Sequence, residues 1–155
     1  MSELRLGVIM HGVTGRMGMN QHLIRSIVAI RQQGGVLLSN GDPVMPDPFL
    51  LGRNAKALST LAQSQGIARW GTDLNSALAN PTDTVFFDAA TTQGRPGLLT
   101  EAMRAGKHIY CEKPVSPHLA DALGGLVRLA RKTGIKHGVV QDKLFLPGLM
   151  KLGCW

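Results

Sequence analysis

Short apolar runs alternate along this chain with longer segments of helical periodicity. Residues 4–10 (LRLGVIM) read as a buried strand. Residues 17–33 carry Leu23, Ile24, Ile27, Val28 and Ile30 at helical spacing and stop at Gly34-Gly35, so a helix is predicted there. Residues 39–48 (SNGDPVMPDP) hold three prolines and an Asn-Gly-Asp and are expected to form a loop. A short strand over 49–51 leads into a helix over 55–65 that Gly66 ends. Residues 67–70 are the next strand candidate, and Thr72 or Asp73 can cap a short helix over 74–79.

The same alternation continues to the far end. Residues 85–89 (VFFDA) predict a strand, and 96–105 a helix with Pro96 in its first turn and Gly106 after its last. A strand over 108–111, a long helix over 117–133 stopping at Gly134, a strand over 136–140 and a helix starting over 144–152 complete the pattern. No internal repeat is present. Strand–helix alternation with right-handed crossovers implies an α/β fold: a mostly parallel sheet covered by helices on both faces. About six strands suit a doubly wound, Rossmann-type dinucleotide-binding domain.

Composition narrows the class. The 155 residues carry 17 Lys and Arg against 10 Asp and Glu, a net charge of +7. With 44% hydrophobic and 17% charged residues the chain has an ordinary globular composition, and its length fits one domain. No apolar run reaches the roughly 18 residues of a membrane span. The charged start, MSELRLGVIM, lacks the apolar stretch of a signal peptide, so a cytoplasmic location is expected. Two cysteines, Cys111 and Cys154, exclude a disulfide framework and a four-cysteine zinc site. The basic residues are spread along the chain and over most of the helices without interleaved aromatics, which argues against a nucleic-acid partner. A phosphate-bearing cofactor would use the same charge. His22, His118 and His137 have no metal-like partners in the sequence, and His108 and Cys111 point to opposite faces of their strand, so no metal is expected. His11 reads as a satisfied strand-end residue.

The strongest motif lies directly between the first strand and the first long helix: Gly12-Val13-Thr14-Gly15-Arg16-Met17-Gly18. One glycine lets the backbone turn, a second lets a pyrophosphate approach, and a third lets helix and strand pack closely. The helix N-terminus then faces the phosphates. The spacing is GxxGxxG rather than GxGxxG. An acidic residue about 20 positions beyond the glycines would bind the adenosine ribose. Asp42 is near that distance, but it lies in the proline-rich stretch. The strand 49–51 followed by Gly52-Arg53-Asn54 and a helix is the better second unit, and its tip offers Arg53 and Asn54 instead of a carboxylate. Arginine there favours a 2′-phosphate, hence NADP over NAD. The third feature is Tyr110-Cys111-Glu112-Lys113-Pro114 at a strand's carboxyl end, where ligands of such sheets bind. Lys113 there can stabilise negative charge on a substrate oxygen, with Glu112 holding the lysine in place. The Lys113–Pro114 segment is expected to make a tight turn.

Glu112-Lys113-Pro114, preceded by Ala105-Gly106-Lys107-His108-Ile109, resembles the Glu-Lys-Pro signature of the Gfo/Idh/MocA family of NAD(P)-dependent oxidoreductases, many of which act on sugars and polyols. The likeness runs from the glycine turn to Val140. It implies that Gly12, Gly15 and Gly18 bind the pyrophosphate and that Lys113 lies beside the nicotinamide and the substrate. It also implies that Thr91 and Thr92 belong to the loop facing the cofactor. The family's Thr-Pro-Asn-x-x-His is replaced here by Thr91-Thr92-Gln93-Gly94-Arg95-Pro96, which has no histidine. Gly15-Arg16-Met17-Gly18 also resembles dihydrodipicolinate reductases, against which the Glu-Lys-Pro segment argues. Family members continue into a second domain that supplies an Asp-x-x-x-His element. No such element occurs here: Asp142 is followed four places on by Leu146. The resemblance therefore implies a dinucleotide-binding domain over 1–143, with 144–155 opening a helix toward a substrate domain that is absent. Alone, such a chain is expected to be inactive, since hydride transfer needs a positioned proton donor. A nucleotide-sensing or interaction module is the alternative. Leu144, Phe145, Leu146, Leu149, Met150, Leu152 and Trp155 make an apolar tail suited to self-association.

Overall fold

The computed structural model describes residues 4–141, 143 and 146–152. Among them one sheet runs in the order β2-β3-β1-β5-β6-β7, with β4 paired to β3. The strands are β1 (Leu4–His11), β2 (Val36–Leu37), β3 (Pro43–Leu51), β4 (Trp70–Gly71), β5 (Asp83–Asp88), β6 (His108–Cys111) and β7 (His137–Val139). Every pairing is parallel except β2 with β3. Helix α1 begins in wide π-type turns over Gly18–Val28 and continues as α-helix over Ala29–Gln32. The others are α2 (Ala55–Ser64), α3 (Leu74–Ala79) and α4 (Arg95–Arg104). Helix α5 is built from Leu119–Asp121, Ala122–Leu126 and Val127–Thr133, and α6 spans Pro147–Leu152.

Alternation along the strands sends successive side chains to opposite faces, and a core forms on each. Val8, Met10 and Phe87 pack with Val13 and Leu23 of the α1 side and Leu58, Leu61 and Ala62 of α2. Ile9, Phe86, Ile109 and Cys111 pack with Ala77 and Leu78 of α3, Leu99, Ala102 and Met103 of α4, and Leu126 and Ala130 of α5. Local caps define the helices between. Asn54 accepts from the Ala57 N–H at 3.0 Å, Asp73 accepts from Asn75 and Ser76, and Gly134 ends α5 in the left-handed conformation at φ 68°.

The predicted loop over 39–48 is corrected by the structure: from Pro43 onward it is strand β3, paired with β1 from Leu4↔Val44 to His11↔Leu51. Pro43 opens the strand, and the other two prolines are tolerated because of their parity. Leu50 and Gly52 donate their N–H groups to Arg69 and Gly71, away from β1. Pro46 and Pro48 share that parity, so their missing N–H groups remove nothing from the β1 ladder. The hairpin partner β2 was not predicted. Smaller corrections are boundary shifts: β4 covers 70–71 rather than 67–70, and α5 starts at Leu119 rather than 117. Of the expected helix over 144–152, α6 forms the part from Pro147, while residues 144, 145 and 153–155 lie outside the described residues.

At the amino edge of the sheet, Asp83 is fully buried between two arginines. Its oxygens accept from Arg5 at 3.2 Å and from Arg69, and Asp47 links the same two guanidinium groups. Burial works against the Asp47 carboxylate, but the hydrogen bonds from Arg5 and Arg69 outweigh it and hold that carboxyl below the usual range. Gly7 has no room for a side chain here, because a Cβ would strike Thr82 and Asp83.

Candidate dinucleotide site at the carboxyl edge

Four loops leave the opposite, carboxyl edge. Residues 12–17 follow β1, Arg53 and Asn54 follow β3, residues 89–94 follow β5, and residues 112–114 follow β6. The chain runs outward from β1 to β3 on one side and from β5 to β6 on the other. The β1–β5 junction is therefore a topological switch point, where ligands of open α/β sheets bind.

The glycine turn is built by close approach. Gly12 has φ +82°, and a Cβ there would collide with the backbone of Ala89 and Ala90. A Cβ at Gly18 would be driven into the Gly12 carbonyl. Gly15 differs: its Cβ would meet only the Gly12 oxygen, at 3.4 Å. The protein itself thus has room for a side chain at Gly15. Thr14, Gly15, Arg16 and Met17 are exposed, whereas the Val13 side chain is buried in the core and leaves only its backbone at the surface. Beside the turn lies an open groove of about 490 Å³ lined by Thr14, Met19, Asn54, Lys56 and Thr60 among others. Arg53 is exposed next to it, and Asn54 spends its carbonyl oxygen on capping α2. Lys56, which no motif marks, adds a cation to this groove.

On the far side of the switch point, the Glu112 carboxylate bridges two elements. One oxygen lies 2.6 Å from His22 Nε2 on α1, and the other accepts from the Lys113 backbone N–H at 3.2 Å. Glu112 therefore holds the lysine through its backbone and not through its ammonium. The His22 ring lies against Phe87, with centroids 4.7 Å apart. Lys113 and Thr91 are exposed, Thr92 is partly buried, and the Lys113–Pro114 peptide is cis.

Beneath these loops sits a buried polar cluster that sequence reasoning missed. Asp88, at the end of β5, is 0% exposed and Arg95 is 1% exposed. One Asp88 oxygen lies 2.7 Å from His11 Nδ1, and the other accepts from Arg95 Nε at 2.6 Å. Burial works against the Asp88 charge. Hydrogen bonds from His11 and Arg95 outweigh it and keep the carboxyl below its ordinary value. A signal was present: Asp88 is the one charge in the apolar run 85–89, and a buried carboxylate needs a buried donor. Cys111 lies in the core nearby, and burial pushes its thiol up to about 11. Among the described residues no group of three or more His, Cys, Asp or Glu is placed to hold a metal ion.

No protein-family model matches the chain. It is 48% identical over 145 residues to D-xylose dehydrogenase of Paenarthrobacter nicotinovorans, a match covering 94% of this chain and 37% of that one. Among solved structures it superposes on GenD2 from gentamicin A biosynthesis in complex with NAD, with TM-score 0.75, 22% identity, and coverage of 96% of this chain and 38% of that chain. It superposes similarly on the WlbA dehydrogenase of Bordetella pertussis in complex with NADH and UDP-GlcNAcA, with TM-score 0.72, 22% identity, and coverage of 97% and 40%. The chain thus spans well under half the length of these proteins, and its fold is the Rossmann-type fold of NAD-binding oxidoreductases.

Proposed function

We propose that this chain is the dinucleotide-binding part of a Gfo/Idh/MocA-type oxidoreductase acting on a sugar, polyol or related compound. One observation carries the reading: Gly15 is glycine although the protein has room for a side chain there, at the switch point of the sheet. A ligand that approaches the backbone accounts for that glycine, as a pyrophosphate does. The 48% identity to a D-xylose dehydrogenase supports the substrate class.

A nicotinamide dinucleotide supplies hydride transfer when bound. In this reading the backbone of Gly12, Val13, Thr14, Gly15, Arg16, Met17 and Gly18 binds the pyrophosphate. Arg53 pairs with a 2′-phosphate, giving a preference for NADP over NAD, and Asn54 lines the adenosine side. Thr91, Thr92 and Glu112 border the nicotinamide. Lys113 is the catalytic residue, hydrogen-bonding a substrate hydroxyl or carbonyl and stabilising negative charge on that oxygen. Because the sequence holds no Asp-x-x-x-His element, turnover by these residues alone is expected to be negligible. The reading also places the protein in the cytoplasm and assigns the exposed Leu146 and Met150 to self-association.

Titration with NADPH, NADH and a short DNA duplex tests it, read by nicotinamide fluorescence and followed by a polyol and sugar screen. Fluorescence enhancement with NADPH, stronger than with NADH, is expected. Absence of binding to either dinucleotide overturns the reading, and binding with no reaction, even joined to a substrate domain, leaves a nucleotide-sensing module.

A further inference from the structure

Arg95 has no part in the cofactor contacts proposed above, yet it is the largest fully buried side chain among the described residues. Its guanidinium contacts the end of β5, the loop after it and the turn that carries Lys113. Nε donates to Asp88 at 2.6 Å, and Nη2 donates to the carbonyl of Ala90 at 2.6 Å. Nη1 donates to the carbonyl of Glu112 at 2.8 Å and to that of Pro114. Those two carbonyls flank Lys113. Asp88 in turn holds His11, the residue before Gly12, and Ala90 is the backbone against which Gly12 is packed. One fork of donors therefore joins the loop after β5, the lysine turn and, through Asp88, the glycine turn.

We propose that Arg95 is the positioning residue that sets the Lys113 turn relative to the glycine turn, so that it governs binding of the nicotinamide half of a dinucleotide and not of the adenylate half. The proposal rests on the dinucleotide reading above. The chemistry favours arginine for this task. The planar guanidinium reaches four acceptors in different directions, whereas a lysine ammonium brings three donors to a single point.

The test uses the full chain and two ligands: the tighter-binding of NADPH and NADH, and the matching fragment without nicotinamide (2′-phospho-ADP-ribose or ADP-ribose). Arg95→Lys keeps a cation beside Asp88 but cannot span the loops. It is expected to weaken the intact dinucleotide about tenfold, the scale of one lost charge-assisted hydrogen bond, and to change the fragment less than about twofold. Lys113→Ala should give a similar loss, and the double variant no more than either alone. Equal weakening of both ligands marks a merely structural role and overturns the proposal, as does an unchanged dinucleotide affinity. Should Arg95→Lys fail to fold, the wild-type Arg95 side-chain N–H resonances decide. They should shift on adding the dinucleotide and stay in place with the fragment, and any other pattern overturns the proposal. Failure of the wild type to bind either dinucleotide overturns the underlying reading as well, so the two failures are distinct.

Discussion

His22 Nε2 lies 2.6 Å from Oε1 of Glu112, with side-chain exposures of 16% and 14%. This contact ties the helix after the glycine turn to the turn that carries Lys113, two segments 90 residues apart in sequence. Removing the ring leaves a largely buried carboxylate oxygen without that partner. His22→Ala is therefore expected to lower stability by about 1–2 kcal/mol, with His22→Gln recovering part of the loss. Urea denaturation measures both, and equal stability of His22→Ala and wild type would show that water replaces the ring at no cost.

The three glycines of the first turn should separate into two kinds. Gly18→Ala forces a methyl against the Gly12 carbonyl. It should cost on the order of 1–3 kcal/mol or prevent folding. Gly15→Ala has only the Gly12 oxygen at 3.4 Å to meet, so its stability should stay close to wild type. The bulkier Gly15→Val should abolish dinucleotide binding in a folded protein. A Gly15→Val variant that binds as tightly as wild type would mean that no ligand approaches there.

Arg53 is exposed beside a groove that already contains Lys56. Arg53→Ala should weaken NADPH roughly tenfold or more, the scale of a lost hydrogen bond to a charged group, with little effect on NADH. Isothermal titration separates the two, and equal losses for both cofactors would remove the 2′-phosphate assignment. If Lys56→Ala gives the larger selective loss, the discriminating cation is Lys56.

Asp88 makes part of the stability depend on pH. Its folded-state value lies below the unfolded one of about 3.9, so its contribution is whole above about pH 5 and is lost as pH falls through the folded value. Acid unfolding should therefore steepen below about pH 4. Asp88→Asn leaves Arg95 without its buried counter-charge, which should cost about 3–5 kcal/mol at neutral pH. It should also flatten the acid limb attributable to this residue. Denaturant midpoints across the acid range report both, and an unaltered acid limb in the variant would assign that limb to other carboxylates.

Cys111 is 1% exposed and burial raises its thiol to about 11, so it should resist alkylation near pH 8. Peptide-resolved iodoacetamide labelling should find Cys111 modified only in denaturant. Rapid labelling of the native chain would place the β6 strand end at the surface instead.

Periodicity alone was enough for the α/β class, the order of most elements and the placement of the Gly12–Gly18 turn between a strand and a helix, because these depend on neighbours within a few residues. Its failure over 43–48 has the same root. Pro46 and Pro48 look like strand breakers until β1 is known to lie on one side and β4 on the other, and only then does the parity of their missing N–H groups matter. The motif residues Lys113, Thr91 and Arg53 were visible as chemistry in the sequence, but their common edge is a property of the parallel pairing.

What tertiary structure alone decided is the set of partners among residues far apart in sequence. Glu112, read as holding Lys113 in place, bonds that residue only at its backbone N–H and is paired with His22. Arg95, to which the sequence motifs assign no role, is buried with Asp88 beneath the loops after β5 and β6. A carboxylate or guanidinium in a water-free interior must find its counterpart wherever the fold brings one within reach. Local propensity selects helices and strands within a window of a few residues. The burial that makes these pairings obligatory exists only once the sheet has closed.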